Sequence, residues 1–540
     1  MARRRSAKRV SRKARRQPQG ERGGQKGLKG QASAGKAMTP QVGPLALAAA
    51  QTLEMRESRP YKTRYPIPDE EFRKLKMKAE KAAVKKGAVT AAVDKPKKRE
   101  MPAFAMAAMS DVAAVAPAAA PAPAGNFAGI PATGWIPPDC TMAVGPNHVL
   151  LSVNSSVAIH NKVGGAVVMQ RTLTQWFANV VSGLTIFDPK ALFDQHASRW
   201  VLLAVAFKTS PNQSVFLLSV SATSNPLGQW RNYVFDAMKD GSQPTNNWAD
   251  YPSLGVDSHA LYLTANMFAF GGNFQYAKIR VVPKAGPYSG SAAPFFDFVR
   301  MRNPDNTLAF TIQPCHTFGA PQVEYLVNSR FPSGNSLTLW RINMSGATPT
   351  LSRSAVPTSA YSLPPNADQQ GGPQPLNTGD VRVLHAVFRG DSIWTVLTTV
   401  RNWGAGNRAS IHWFQIRAAA STLVQEGVFG TRTLHYFYPA MCPDNNGNAI
   451  VVFSRCGSTE FGSIAYTGRR STDPLGTLQP SALLKAGVGH YQALDSSGRN
   501  RWGDYNGVGA DPSSPRVIWF YSEFAGAPNV WATWVGSSFF

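Results

Sequence analysis

Glutamate is nearly missing from most of this chain. Of 540 residues, the stretch after residue 100 holds only Glu324, Glu426, Glu460 and Glu523, so acid/base chemistry there depends mainly on aspartate. Cysteine is scarce too. Cys140, Cys315, Cys442 and Cys456 are too few for a disulfide scaffold, and no Cys-x-x-Cys or Cys/His spacing suits zinc. Cys442 and Cys456 fall where neighbouring strands of one hairpin could be bridged, but ordinary buried thiols are the favoured reading. No apolar run is long enough to cross a bilayer. Walker loops, dinucleotide fingerprints and Gly-x-Ser-x-Gly elbows are absent, which leaves phosphate-cofactor and serine-hydrolase chemistry without support. No cofactor and no metal are expected.

Charge is abundant but localised. The formal net charge is +25, yet residues 1–100 hold 28 of the 56 Lys and Arg and 9 of the 31 acidic residues, a net +19. Runs such as Arg3-Arg4-Arg5 and Arg15-Arg16 cannot bury enough apolar surface to fold, so residues 1–101 are expected to be a mostly unfolded basic tail. Such a tail attracts any polyanion (nucleic acid, acidic glycan or anionic lipid) in a salt-dependent way. Within it, Phe72, Leu75 and Met77 approach helical spacing, which predicts one helix over 68–87. The N-terminal arginines precede no apolar core of a secretory signal. A weak internal candidate, Met101 to Met109 after Lys95–Arg99, is cut short by Ser110 and Asp111. Residues 102–125 read as an Ala/Pro-rich spacer.

From 126 to 540 the pattern is short strands, turn signals and almost no helical periodicity. The phrase Trp248-Ala249-Asp250-Tyr251-Pro252-Ser253-Leu254-Gly255-Val256-Asp257 returns as Trp502-Gly503-Asp504-Tyr505-Asn506-Gly507-Val508-Gly509-Ala510-Asp511, and a shorter copy begins at Tyr438. Aligned on it, units start near Pro138, Asp188, Asp250, Thr311, Asp380, Tyr438 and Asp504. Each supplies about four strands, the size of a propeller blade. The expected fold is all-β, a single β-propeller of seven blades, with six the alternative count. A strand over about 127–133 is expected to complete the last blade and latch the ring.

Several motifs carry a resemblance: Pro137-Pro138-Asp139 with Ala143 to His148, Phe193-Asp194-Gln195 with Arg199-Trp200, Asp250-Tyr251-Pro252, Asp473 to Gly476, and Arg501-Trp502-Gly503-Asp504-Tyr505. Together they resemble a group of largely uncharacterised bacterial propeller proteins, usually secreted and distantly similar to sialidase-like propellers. The resemblance implies an extracellular or cell-envelope protein acting on glycans. The basic N-terminus departs from the signal peptide of that group and leaves a cytoplasmic location open. The repeated Ser-x-Asp-x-Gly-x-Thr-Trp box of sialidases is missing.

Propeller ligands bind where innermost strands converge on one mouth of the channel. Asp250, Asp504, Tyr251 and Tyr505 are therefore the catalytic candidates, since two carboxylates across a channel suit glycosidic hydrolysis. Trp248 and Trp502 are candidates to stack a sugar. Arg501, Glu523, His148, His316 and His385 are further candidate substrate contacts. The plainer reading gives the repeated Asp a backbone N–H to accept from and packs Tyr and Trp between blades. Asp444-Asn445-Asn446-Gly447-Asn448 resembles part of a calcium loop but reads better as a hairpin turn. Two functions follow: a glycan-binding or glycan-hydrolysing propeller, or a non-catalytic scaffold that binds a protein at the mouth and is tethered by its tail.

Overall fold

A computed structural model describes residues 27–39, 56–57, 65–81 and 120–540. The rest of the expected basic tail and spacer lies outside the described residues. The body is a β-propeller. Apolar runs such as Val201–Phe207 become strands buried on both faces, because each sheet packs between two neighbours.

Four-stranded antiparallel groups follow one another along the chain. Their innermost strands are Thr141–Val144, Thr185–Asp194, Asn247–Val256, Gln313–Pro314, Val383–Arg389, His435–Pro443 and Gly507–Ala510. The groups beginning at Asn247 and Val383 join into one ten-stranded sheet through the short strand His316–Thr317, which pairs parallel with both. Hydrophobic clusters fill the spaces between successive sheets, for example Ile159, Trp200 and Leu217. A further cluster, with Val149, Leu151, Trp519 and Val535, joins the last sheet to the first.

The latch is present, a few residues earlier than expected. Pro123–Ala128 pairs antiparallel with Val530–Ser538, Phe127 opposite Val535, and completes the sheet begun at Gly507.

The repeated phrase marks a kink on the innermost strands. Asp188, Tyr251 and Tyr438 have φ of 50°, 50° and 49°, and each interrupts the register with the next strand. Left-handed backbone at non-glycine residues costs of order 1–3 kcal/mol and persists only where the surroundings fix it. Here the fixing bonds come from the neighbouring sheet. Asn154 Oδ1 accepts from Asp188 N at 2.7 Å, and Asp188 Oδ2 accepts from Tyr251 N at 3.2 Å. Thr398 Oγ1 accepts from Tyr438 N at 3.1 Å.

Parts of the N-terminal region are ordered on this body, where an unfolded tail was expected. Leu28–Ala34 adds to the outer strand Ala292–Val299, and Lys36–Met38 adds to the outer strand Trp230–Asp236. One segment thus covers two exposed sheet edges, whose unpaired backbone groups invite strand addition. The helix predicted over 68–87 spans Asp69–Lys81 and buries Phe72 and Lys76. Cys442 lies opposite Ile450 and Cys456 opposite His435, at opposite ends of their strand pair, so the bridge is excluded by register. All four cysteines are free and buried. The Asp444–Asn448 stretch is a turn, its Asp444 Oδ1 accepting from Asn446 N and Asn448 N.

Candidate functional site

One mouth of the channel gathers side chains from several sheets. A cavity of about 20 Å³ lies among Tyr251, Asp380, Arg382, Tyr438, Arg501 and Asp504, and Tyr65 of the N-terminal segment closes it. Tyr251 and Tyr505 meet edge to face at 5.8 Å. Arg382 clasps Asp380 through Nε (3.0 Å) and Nη2 (2.7 Å), and its guanidinium lies 4.1 Å from the Tyr251 ring. Burial works against the Arg382 charge, but the Asp380 carboxylate outweighs it and holds the pKa above the ordinary arginine value.

A chain of hydrogen bonds links the mouth across four sheets. Asp139 Oδ1 accepts from Asp504 N at 2.6 Å, and Asp139 Oδ2 accepts from Asn154 Nδ2 at 2.8 Å. From Asn154 it continues to Asp188 and Tyr251 through the bonds already described. The Tyr251 hydroxyl returns to Asp504 O at 3.4 Å.

Below the mouth, a channel cavity of about 60 Å³ is lined by Lys190, His316, His385, Gln313 and Asn506 among others. Small-molecule sites commonly reach about 300–1,000 Å³, so this space accommodates a few waters and no sugar ring. The Lys190 amine lies 2.8 Å from the Tyr505 ring centroid, and burial pushes its pKa down to about 7 against the pull of Asp188, Asp139 and Asp504. Burial likewise lowers His316 to about 3 and His385 to about 4. Both imidazoles are therefore neutral at physiological pH. His385 Nδ1 carries the proton, since it faces the Met441 carbonyl at 2.9 Å.

The candidates from sequence fall into three groups. Tyr251, Asp504 and Arg501 line the mouth and Tyr505 lines the channel beneath it, whereas Asp250, expected there as a catalytic carboxylate, is buried in its strand and lines neither cavity. Asp504 is held by Arg501 Nη2 at 2.9 and 3.0 Å, and Asp250 is 1% exposed. Trp248 and Trp502 are corrected: both are buried and offer no face to a sugar. Trp248 packs on Phe207 and Phe268, while Trp502 Nε1 donates to Ser454 Oγ at 3.0 Å. Glu523 is also buried, accepting from Gly503 N through Oε1, and burial raises its pKa well above the carboxylate range. The histidine trio is split, because His148 pairs with Asn161 on a second strand outside the channel lining.

Several residues at or beside the mouth were not named as site candidates from sequence. Asp188 had a signal: Phe187-Asp188-Pro189, Asp250-Tyr251-Pro252 and Phe437-Tyr438-Pro439 are the same kink. Tyr65 and Lys76 had none. Lys76 Nζ is buried and donates to Pro364 O (2.7 Å), Thr378 Oγ1 (2.8 Å) and Gly379 O (2.8 Å), beside the mouth. Tyr65 stacks on Phe72 at 3.5 Å and accepts from Arg499 Nη1 at 3.2 Å.

No family model matches this chain, and no curated protein matches it. Several solved structures are similar to it at low sequence identity. One comes from a mitotic checkpoint complex (TM-score 0.38, 10% identity, 84% of this chain and 99% of that chain covered). Another is a sialidase from Streptococcus pneumoniae (TM-score 0.35, 11% identity, 74% and 68% covered). A third is a mutant Trypanosoma rangeli sialidase displaying trans-sialidase activity (TM-score 0.34, 11% identity, 78% and 60% covered). The chain's own sheets already define the propeller architecture, and likenesses this distant say nothing of its substrate or partner.

Proposed function

We propose that this chain is a non-catalytic interaction propeller whose channel mouth receives a polypeptide segment, at present its own residues 65–81. The carrying observation is Lys76, whose amine is bonded to three propeller oxygens beside a mouth that Tyr65 closes. A protein segment is thus the one occupant for which this mouth has seated contacts. We further propose seven blades, a count supported by the seven innermost strands and by the cluster joining the last sheet to the first.

The glycan reading has less behind it. A pyranose does not fit a mouth cavity of about 20 Å³, Asp504 is ion-paired, and the two tryptophans are interior. It stays a live competitor only if the segment leaves. The remaining tail belongs to the proposal as a tether: residues 1–26 carry eleven Lys and Arg against one acidic residue, suited to a polyanion.

The test uses the full-length chain with Tyr65→Ala and Lys76→Glu to release the segment. A fluorescent peptide of residues 61–82 should bind the released variant and be excluded from the original protein. Chromogenic glycosides should stay intact in both. Glycoside turnover appearing on release, and lost again with Asp504→Asn, would replace this reading with an autoinhibited glycosidase.

A further inference from the structure

Of the four lysines on the helix Asp69–Lys81, one is turned inwards. The Lys74 side chain is 67% exposed, whereas Lys76 is 3% exposed. Its amine enters a cage of three propeller oxygens, Pro364 O at 2.7 Å and Thr378 Oγ1 and Gly379 O at 2.8 Å.

The propeller shapes this cage with bonds of its own. Asn377 Oδ1 accepts from Gly379 N at 3.1 Å and from the Tyr438 hydroxyl at 3.2 Å, and Asn377 N donates to Asn500 O at 2.9 Å. Thr378 Oγ1 donates to Pro365 O at 2.8 Å, which commits its proton and leaves lone pairs for the cage. Gly379 has φ of 66° and lies so close to the Tyr438 ring that an added Cβ would stand 2.7 Å from it. Oxygens fixed in this way are pre-organised for a donor.

The cage chemistry selects the occupant. It offers acceptors only, so a donor is required and an anion is repelled. A lysine ammonium brings three N–H groups on one nitrogen, one for each oxygen, and a neutral amine still brings two. The arginine fork is planar and spreads its donors over three nitrogens, so it cannot converge them on one point. Nε-acetylation leaves one N–H and trimethylation leaves none. Either change sets carbon against oxygens that stand at hydrogen-bond distance and strands them without a donor. Aromatic cages hold quaternary ammonium on their ring faces. Here the walls are oxygens, and the preference is reversed.

We propose that Pro364, Thr378 and Gly379 form a lysine-reading subsite of the mouth, one that takes an unmodified primary amine on an alkyl stem and rejects its acylated and methylated forms. The partner that displaces the resident segment is then a polypeptide presenting a free lysine at this point. The subsite rests on the seated segment of the proposed function and adds what that seat selects.

Fluorescence anisotropy with the released chain (Tyr65→Ala, Lys76→Glu) tests it. The 61–82 peptide is supplied unmodified, Nε-acetylated at Lys76, Nε-trimethylated at Lys76, and as Lys76→Arg. The unmodified peptide should bind about tenfold or more tightly than each of the others, the effect of losing two or three bonds. Adding Thr378→Val should weaken the unmodified peptide by about fivefold, the loss of one bond, and leave the trimethylated peptide unchanged. Equal weakening of both, or any altered peptide binding within about threefold of the unmodified one, would overturn the subsite while the seat stands. No binding of the unmodified peptide would refute the seat and the subsite with it. A second measurement needs no released variant. Nε-acetylation of Lys76 in the full-length chain, by encoded acetyllysine, should bring amide exchange of residues 72–80 to the rate of the isolated peptide. Protection equal to that of the unacetylated chain would overturn the subsite.

Discussion

Tyr251 and Tyr505, from two copies of one sequence phrase, meet edge to face with ring centroids 5.8 Å apart and planes at 85°. The phrase therefore does bring its copies together at the channel mouth. What it builds there is a bonded rim. The Tyr251 amide is held by Asp188, its hydroxyl reaches Asp504 O, and the Tyr505 hydroxyl donates to Pro189 O at 2.9 Å.

Removing the Asp188 carboxylate should leave the buried Tyr251 N–H unpaired. Asp188→Ala is expected to destabilise the protein by about 2 kcal/mol in urea unfolding, the cost of one such orphan. A change below about 0.5 kcal/mol would mean that the kink needs no partner.

The Lys76 amine makes seating of the helix depend on pH. Burial lowers its pKa to about 7, while the released helix keeps the ordinary value near 10.5. Between those values the seated amine gives up a proton that the free helix still holds, keeping two of its three donated bonds, so seating tightens as pH rises, by up to tenfold per unit. Below pH 7 both forms are protonated and the dependence flattens. Binding of the 61–82 peptide to the released chain between pH 6.5 and 9 checks this, and a Lys76→Met peptide should show no slope.

The latch should behave as a closing strand. Phe127 pairs opposite Val535 and stacks on His160 at 5.5 Å while half-buried. Phe127→Ala is expected to cost about 2 kcal/mol, below the full price of a buried phenylalanine. Thermal unfolding should show it as a lower midpoint without loss of sheet signal before the transition.

Native thiols should be silent. Cys140, Cys315, Cys442 and Cys456 are buried, and burial pushes each pKa upward, so little thiolate is present or reachable. A thiol-specific colorimetric reagent should find four groups after denaturation and none before.

Much of the architecture was legible because propeller sheets repeat. Apolar runs such as Val201–Phe207, turn residues between them and the recurring Asp-Tyr phrase placed the innermost strands within a few residues. The latch was legible as a missing strand at the C-terminus. The site was harder. Trp248 and Trp502 looked like sugar platforms because a tryptophan near a channel reads the same whether it faces the lumen or the next sheet. Lys76 was unreadable for a different reason: in Asp-Glu-Glu-Phe-Arg-Lys-Leu-Lys-Met-Lys nothing marks one lysine as buried. Its burial is set by oxygens of Pro364, Thr378 and Gly379, nearly 300 residues away.

The seated segment is the central claim, and hydrogen–deuterium exchange of the full-length chain measures it directly. Amides of residues 72–80 should exchange far more slowly than in the isolated peptide 61–82, and Lys76→Glu should return them to the peptide rate. Peptide-like exchange in the unaltered chain would contradict the account, since the mouth would then stand open.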